Sequence, residues 1–272
     1  MDIRLRPNEI HPGIYLFTSF KTLMVNSTVV DCGDEVIVVD TLLRKDEATQ
    51  VADFIRETLQ KSVSWIINTH WHKDHLYGNQ AYPGVPTIAH ENYIHSAEAQ
   101  KILMGHRMPY QHPKLTFSER MRLTIGTRHM ELHGAPGHSP DGLVVYLPEE
   151  KVMFTGDTVI GNGSRRIGLP YVHEGNWGRL EATLEWLLTF NIERIAPGHA
   201  KPGDKSLIQQ RLDYTQRLRR FVQEAPLANM TKADLIALPL TEFTHDGSEA
   251  MMPNLHHINL EKMWAELHNN TP

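Results

Sequence analysis

The chain has 272 residues, 40% of them hydrophobic and 22% charged, and carries a formal net charge of -5 before its 17 histidines are counted. That length and apolar content suit one large α/β domain or two small ones with a substantial core. The lone cysteine, Cys32, excludes an internal disulfide and every thiolate-based zinc cluster, so any metal must be held by His, Asp and Glu.

Lys and Arg never run beyond local pairs and the scattered Arg217, Arg219 and Arg220, so nothing in the charge pattern is built for a polyphosphate backbone. The opening MDIRLRPNEI has no apolar export segment, and no run approaches the roughly 18 residues of a membrane span. A cytoplasmic protein is expected, acting on a small molecule, with no nucleic-acid or membrane partner and a homo-oligomer left open.

In chain order, residues 14–30 and 35–40 have strand character, with Asp31-Cys32-Gly33-Asp34 as the turn between them. Residues 46–60 place Ala48, Val51, Ala52, Phe54, Ile55 and Leu59 at helical spacing behind an acidic first turn, and 63–68 reads as a buried strand. Pro83 and Pro86 flank a turn before a short strand at 87–89, and 91–103 reads as a helix. Residues 104–118 are irregular and read as a long surface loop of the kind that walls a pocket. Strands return from 121 onward, among them 128–133 and 151–154. A helix is predicted over 178–190, further helices over 205–224 and 231–237, and a terminal one over Leu260–Leu267. Without repeats or low-complexity linkers, residues 1–272 read as a single domain whose part from about 205 to 272 is mainly helical.

The densest chemistry follows the strand at 63–68, where His70, His72, Asp74 and His75 crowd into six residues. His70 and His72 share a face at i, i+2, whereas Asp74 and His75 lie past the turn. The local geometry therefore points to two adjacent ions with two ligands each. Three later motifs put a histidine or aspartate beside glycine where a strand ends: Pro136-Gly137-His138, Thr155-Gly156-Asp157 and Pro197-Gly198-His199. Glycine permits the sharp turns and close backbone approach that a crowded cleft requires.

Taken in order, Asp40, the His70-x-His72-x-Asp74-His75 cluster and these three motifs resemble the metallo-β-lactamase superfamily of metal-dependent hydrolases. The resemblance covers about residues 14 to 202 and implies a four-layer αβ/βα sandwich with metals at the rim of its inner sheets. It implies that His70, His72 and His138 hold a first ion, that Asp74, His75 and His199 hold a second, and that Asp157 bridges them. Two divalent ions, zinc with iron or manganese as alternatives, would share a hydroxide able to attack a small ester, thioester, lactone or amide. Asp74 is placed to orient that hydroxide or shuttle its proton, and Asp40 to anchor the ligand loop from behind.

Cysteine-ligand β-lactamases carry Cys where this chain has Asp157 and Lys where it has Ile160. The chain thus looks closer to glyoxalase II-like and lactonase-like members with a bridging Asp. A mononuclear iron oxidoreductase similar to persulfide dioxygenases is the alternative on the same scaffold.

Around the ligands, Asn162 is a candidate oxyanion donor, and Arg165 with its neighbour Arg166 a candidate anion fork. Tyr171 and Trp177 either pack their loop or contact substrate. His173 and His256 lead the remaining histidines as pocket candidates, and the rest read as packing or solvated residues.

Overall fold

The computed structural model describes residues 4–96, 112–164, 166–172, 174–225, 229–244 and 249–268. Strands β1 (Asn8–His11), β2 (Ile14–Ser19), β3 (Val25–Asp31), β4 (Glu35–Val39), β5 (Ser62–Ile67), β6 (Thr87–His90) and β7 (Leu115–Phe117) form one seven-stranded sheet in chain order. Pairing is antiparallel from β1 to β4 and parallel from β4 to β7. A parallel step needs a crossover, and helix α1 (Lys45–Asp53) provides the one between β4 and β5. The short helix α2 (Lys73–Leu76) follows β5.

The second sheet contains β8 (Arg120–Ile125), β9 (Arg128–Gly134), β10 (Leu143–Leu147), β11 (Val152–Gly156) and, after the short β12 (Arg166–Ile167), β13 (Arg194–Pro197). Helix α3 (Trp177–Leu187) lies between β11 and its parallel partner β13. Helices α4 (Ser206–Glu224) and α5 (Lys232–Ile236) come next, then β14 (Glu249–Ala250), which pairs with β12, and α6 (Leu255–His268).

The layering follows from side-chain alternation along the strands. Ile37, Val39 and Ile67 of the first sheet meet Leu143, Val145 and Phe154 of the second in the central core. Their neighbours Val36, Val38 and Ile66 face the other way and pack against Ala48 and Val51 of α1. Likewise Val144, Met153 and Ile195 turn outward onto Leu180 and Leu184 of α3 and Ile208 and Leu212 of α4. Helix, sheet, sheet and helix are thus stacked as the αβ/βα sandwich expected from sequence. Among the described residues no helix is long and apolar enough to cross a membrane.

Several boundaries differ from the sequence expectation. The single strand at 14–30 is two strands, β2 and β3, because the chain reverses at 20–24 with Leu23 and Met24 at φ 42 and 58°. No glycine or proline marks that turn. The helix at 46–60 changes to a π-helical segment at Phe54–Leu59 and stops at Gln60, which is left-handed at φ 57°. Of the helix expected at 91–103, only 93–96 is helical within the described residues, and the remainder lies outside them. The end of the expected loop at 104–118 is strand β7, and the terminal helix begins at Leu255 rather than Leu260. The run LVVYL of β10 is a strand that the sequence reading did not single out.

Candidate metal centre

Four strand ends deliver the candidate ligands. Past β5 the chain turns through His70 into α2, which has His72 as its N-cap and carries Asp74 and His75 in its single turn. His138 follows β9, Asp157 follows β11 and His199 follows β13. The close approach of β11 and β13 demands glycine. A Cβ on Gly198 would stand 2.1 Å from Asp157 Oδ1 and 2.8 Å from the Gly156 carbonyl oxygen. Gly198→Ala is therefore expected to destabilise the fold by about 1–3 kcal/mol, the cost of forcing an extra carbon into a packed site. It is also expected to weaken metal uptake by displacing Asp157. Urea denaturation and metal titration measure the two effects.

The residues gather into two groups, His70, His72, His138 and Asp157 in one and Asp74, His75 and His199 in the other, each with candidate ligand atoms within 4.8 Å of one another. In the first group His72 Nδ1 lies 2.9 Å from His70 Nε2 and 3.0 Å from His138 Nε2. In the second, His199 Nε2 lies 3.3 Å and His75 Nε2 3.8 Å from Asp74 Oδ2. Asp157 joins the groups. Its Oδ2 is 3.6 Å from His138 Nε2 and 3.4 Å from His199 Nε2, and its Oδ1 is 3.3 Å from His75 Nε2.

Hydrogen bonds behind the rings set which nitrogen faces inward. His70 Nδ1 donates to Thr69 Oγ1 at 3.1 Å, and that hydroxyl donates to Asp40 Oδ2 at 2.7 Å. His75 Nδ1 donates to the same Asp40 oxygen at 2.8 Å. His138 Nδ1 donates to the Tyr171 carbonyl, and His199 Nδ1 to the Leu23 carbonyl at 2.9 Å. In the neutral rings all four Nε2 atoms thus present bare lone pairs to the centre. One proton on His72 Nδ1 cannot satisfy both His70 and His138, and His75 Nε2 and Asp157 Oδ1 are buried without a hydrogen-bond partner. Ring nitrogens and carboxylate oxygens converging at these distances fit divalent cations, which would take the place of any protons the rings carry there.

A model of the metallo-β-lactamase superfamily matches residues 21–199. The chain belongs to that superfamily. Among curated proteins, "Metallo-beta-lactamase type 2" of Bacillus sp. (strain 170) is 26% identical over 69% of this chain and 71% of its own length. A "Lactamase-like protein" of Pestalotiopsis microspora is 27% identical over 65% of this chain, and the "Atrochrysone carboxyl ACP thioesterase AacuM" of Aspergillus aculeatus is 32% identical over 52%. The matches span only 49% and 42% of those two fungal proteins. Among solved structures, a metallo-β-lactamase from Pontibacter korlensis superposes with a TM-score of 0.68 at 24% identity, covering 78% of this chain and 99% of that one. The DIM-1 metallo-β-lactamase gives 0.65 at 24%, covering 79% and 98%. At these identities the structural likeness speaks to the superfamily fold.

The electrostatics of the metal-free cluster follow from burial and mutual charge. Burial draws the His70 imidazole well below its usual range, and His75 and His72 add to the effect, so it stays neutral. Burial works against the charged form of Asp157, but the charges of His199 and His75 outweigh it and hold that carboxyl well below the usual carboxylate range. The same contest, with His75 and His199 prevailing over burial, lowers Asp74. On the partner side, burial opposes the charging of His75 and His199. Asp157 leads the carboxylates that overcome it, raising His75 and pushing His199 up to about 10.

A histidine raised on folding stabilises the metal-free fold below its unfolded value, near 6.5, and loses that contribution as pH climbs through its folded value. The metal-free protein is therefore expected to lose this contribution between roughly pH 6.5 and 10. Because an ion must displace those protons, uptake at pH 7 is expected to release protons and to tighten as pH rises. Calorimetric titration in buffers of different ionisation enthalpy counts them, and a buffer-independent heat would refute the charged pair.

The other residues singled out from sequence separate clearly. Asp40 sits at the end of β4 with φ 55° and accepts from Thr69 N at 2.8 Å as well as from the Thr69 hydroxyl and His75. It therefore stands directly behind the ligand loop. Tyr171 lines the cleft above the ligands, and its carbonyl orients His138. Arg166 lines the cleft too, paired with Glu249 at 3.5 Å.

Asn162 is drawn away from an oxyanion role. Its Oδ1 accepts from Gly168 N and the buried Arg211, and its Nδ2 donates to Gln210, so the amide braces the loop on α4. Trp177, the first residue of α3, is 1% exposed in the outer core, where it adds apolar packing instead of substrate contact. His256 is buried with its Nδ1 3.0 Å from the Tyr214 hydroxyl, and borders a separate cavity of about 410 Å³. Burial, aided by His257, pushes that imidazole down to about 4. Arg165 and His173 lie outside the described residues.

Sequence reasoning missed Thr69, the relay between Asp40 and His70. Its position directly before the first ligand histidine was the available signal. It also missed the Leu23 and Tyr171 carbonyls, since backbone acceptors leave no trace in residue type.

Proposed function

We propose that the chain is a dinuclear hydrolase, loaded with zinc, acting on a small ester, thioester, lactone or amide. The observation that carries this reading is the convergence of two complete donor sets on one carboxylate, Asp157. His70, His72 and His138 would hold one ion, Asp74, His75 and His199 the other, and Asp157 would touch both. Two adjacent divalent ions bring the pKa of water toward neutrality and polarise a scissile carbonyl.

The chain supplies the rest. Asp74 is held ionised and opens onto the cleft, where its carboxylate is placed to orient the attacking water and to take up and pass on its proton. Trp71 and Tyr171 line the same cleft, occupying volume that solvent would otherwise fill. The thioesterase and lactamase names among the relatives support acyl substrates, and the intact second donor set supports hydrolysis over a one-iron oxidation. The test is a panel run on zinc-loaded protein: an acyl-homoserine lactone, S-lactoylglutathione, a cephalosporin and a phosphodiester. Turnover of at least one acyl compound is expected. Inertness toward all of them, with oxygen uptake on a persulfide, would overturn the reading.

A further inference from the structure

The cleft above the ligand cluster has a volume of about 790 Å³, a size that encloses most of a drug-sized molecule. Its floor is the polar ligand cluster, but two segments far apart in sequence give it apolar walls. One is the β2–β3 turn, which contributes Leu23 and Met24. The other is the link from β14 and the start of α6, which contribute Met251, Met252 and Leu255. Leu23 is 58% exposed and Met252 37%, although each is backed by fixed main chain. The Leu23 carbonyl accepts from His199, Met251 N donates to the Ile167 carbonyl at 3.0 Å, and Leu255 N donates to the Met252 carbonyl at 3.0 Å. Leu23 and Met252 are therefore held out at the cleft by their backbones, and apolar groups kept in water beside a candidate metal centre mark a surface awaiting a ligand.

The wall itself is uncharged; the charged side chains that border the cleft are Lys73, Asp74, Asp157 and Arg166, and Arg166 stands 3.5 Å from Glu249. The three methionines are unbranched and rotate about several bonds, so the wall can mould itself along a flexible apolar chain. Met251, Met252 and Leu255 also lie beyond residues 21–199, the span shared with the superfamily. This wall belongs to the chain's own C-terminal part.

Resting on the hydrolase reading above, we propose that the substrate carries an unbranched apolar acyl chain, and that Met251, Met252 and Leu255 with Leu23 and Met24 form its binding wall. The C-terminal segment is then the specificity element of the enzyme. Each methylene that the wall removes from water is worth about a fourfold gain in kcat/KM until the cleft is filled.

The experiment uses zinc-loaded protein and two readouts. The first is kcat/KM for 4-nitrophenyl acetate, butyrate, hexanoate, octanoate and decanoate. The second is calorimetric affinity for sodium octanoate against sodium acetate, which needs no turnover. In the wild type kcat/KM is expected to climb with chain length by roughly an order of magnitude for each two carbons over the first steps, and octanoate is expected to bind more tightly than acetate. Met252→Glu, at a position already partly in solvent, is expected to flatten the series and remove the octanoate preference while zinc content stays at the wild-type value. Met251→Ala provides a milder second variant and is expected to reduce the slope.

A flat series in an enzyme that does hydrolyse the acetate ester would overturn the acyl wall and leave the hydrolase reading standing. No hydrolysis of any ester, with octanoate still preferred, would overturn hydrolysis and uphold the wall. No hydrolysis and no preference would overturn both. A wild-type slope retained in Met252→Glu and Met251→Ala would remove the C-terminal segment from specificity.

Discussion

Asp157→Ala is expected to lose both metal content and activity while keeping its fold. The side chain is nearly buried, with Oδ1 turned to His75 and Oδ2 to His138 and His199, so its carboxylate joins the two donor groups. Removing it leaves imidazoles that shed their protons easily, because Asp157 is the leading charge that raises His75 and His199. The variant is therefore not left with stranded buried charges, and circular dichroism is expected to show a native spectrum. On the dinuclear reading, the ions would lose the oxygen ligand they share. Elemental analysis is expected to give well under two ions per chain, and kcat/KM is expected to fall by at least about a hundred- to a thousandfold, the scale set by removing one strong electrostatic contact from a reacting centre. Full metal occupancy in Asp157→Ala would show that the two groups bind independently.

Asp40→Ala acts one layer further back, and its effect reaches both stability and metal binding. The carboxylate accepts from Thr69 N, the Thr69 hydroxyl and His75 Nδ1, all buried. Alanine leaves three donors without an acceptor in a site closed to water, which costs about 1–3 kcal/mol for each group that cannot find another partner. It also frees His70 and His75 to adopt the wrong tautomer. Loss of such a supporting hydrogen bond typically weakens metal affinity by about ten- to a hundredfold. Competition with a chromophoric chelator is expected to show that loss, and thermal unfolding a lowered Tm. Thr69→Val, which removes only the relay to His70, is expected to give a smaller effect of the same sign. An Asp40→Ala protein with wild-type metal affinity would show that ring orientation comes from packing alone.

The candidate ligands were legible because the histidine cluster, His138, Asp157 and His199 each follow the end of a strand. The histidine cluster and the glycine-flanked strand ends marked His70, His72, His138, Asp157 and His199 as candidates from sequence, and the superfamily resemblance they carry implied both their grouping and the sandwich. What stayed hidden has a common physical cause. The turn at 20–24 is made by non-glycine residues in left-handed conformations, so the strand at 14–30 gave no sign of its break. Asn162 reads as a free amide beside a cleft until the fold brings Arg211 and Gln210 against it from α4. The apolar wall is harder still to read. Met251 and Met252 reach the cleft only because β14 pairs with β12, two residues against two, across more than eighty positions of sequence. Pairings that short carry no periodic signal, so this wall is a property of the folded chain.

The most direct test of the central claim is elemental analysis of the purified protein, read together with its activity. A site in which seven side chains serve two ions predicts close to two equivalents of divalent metal per chain, with hydrolysis that disappears on chelation and returns with zinc. One equivalent of iron, with oxygen consumption and no hydrolysis after zinc loading, would contradict it.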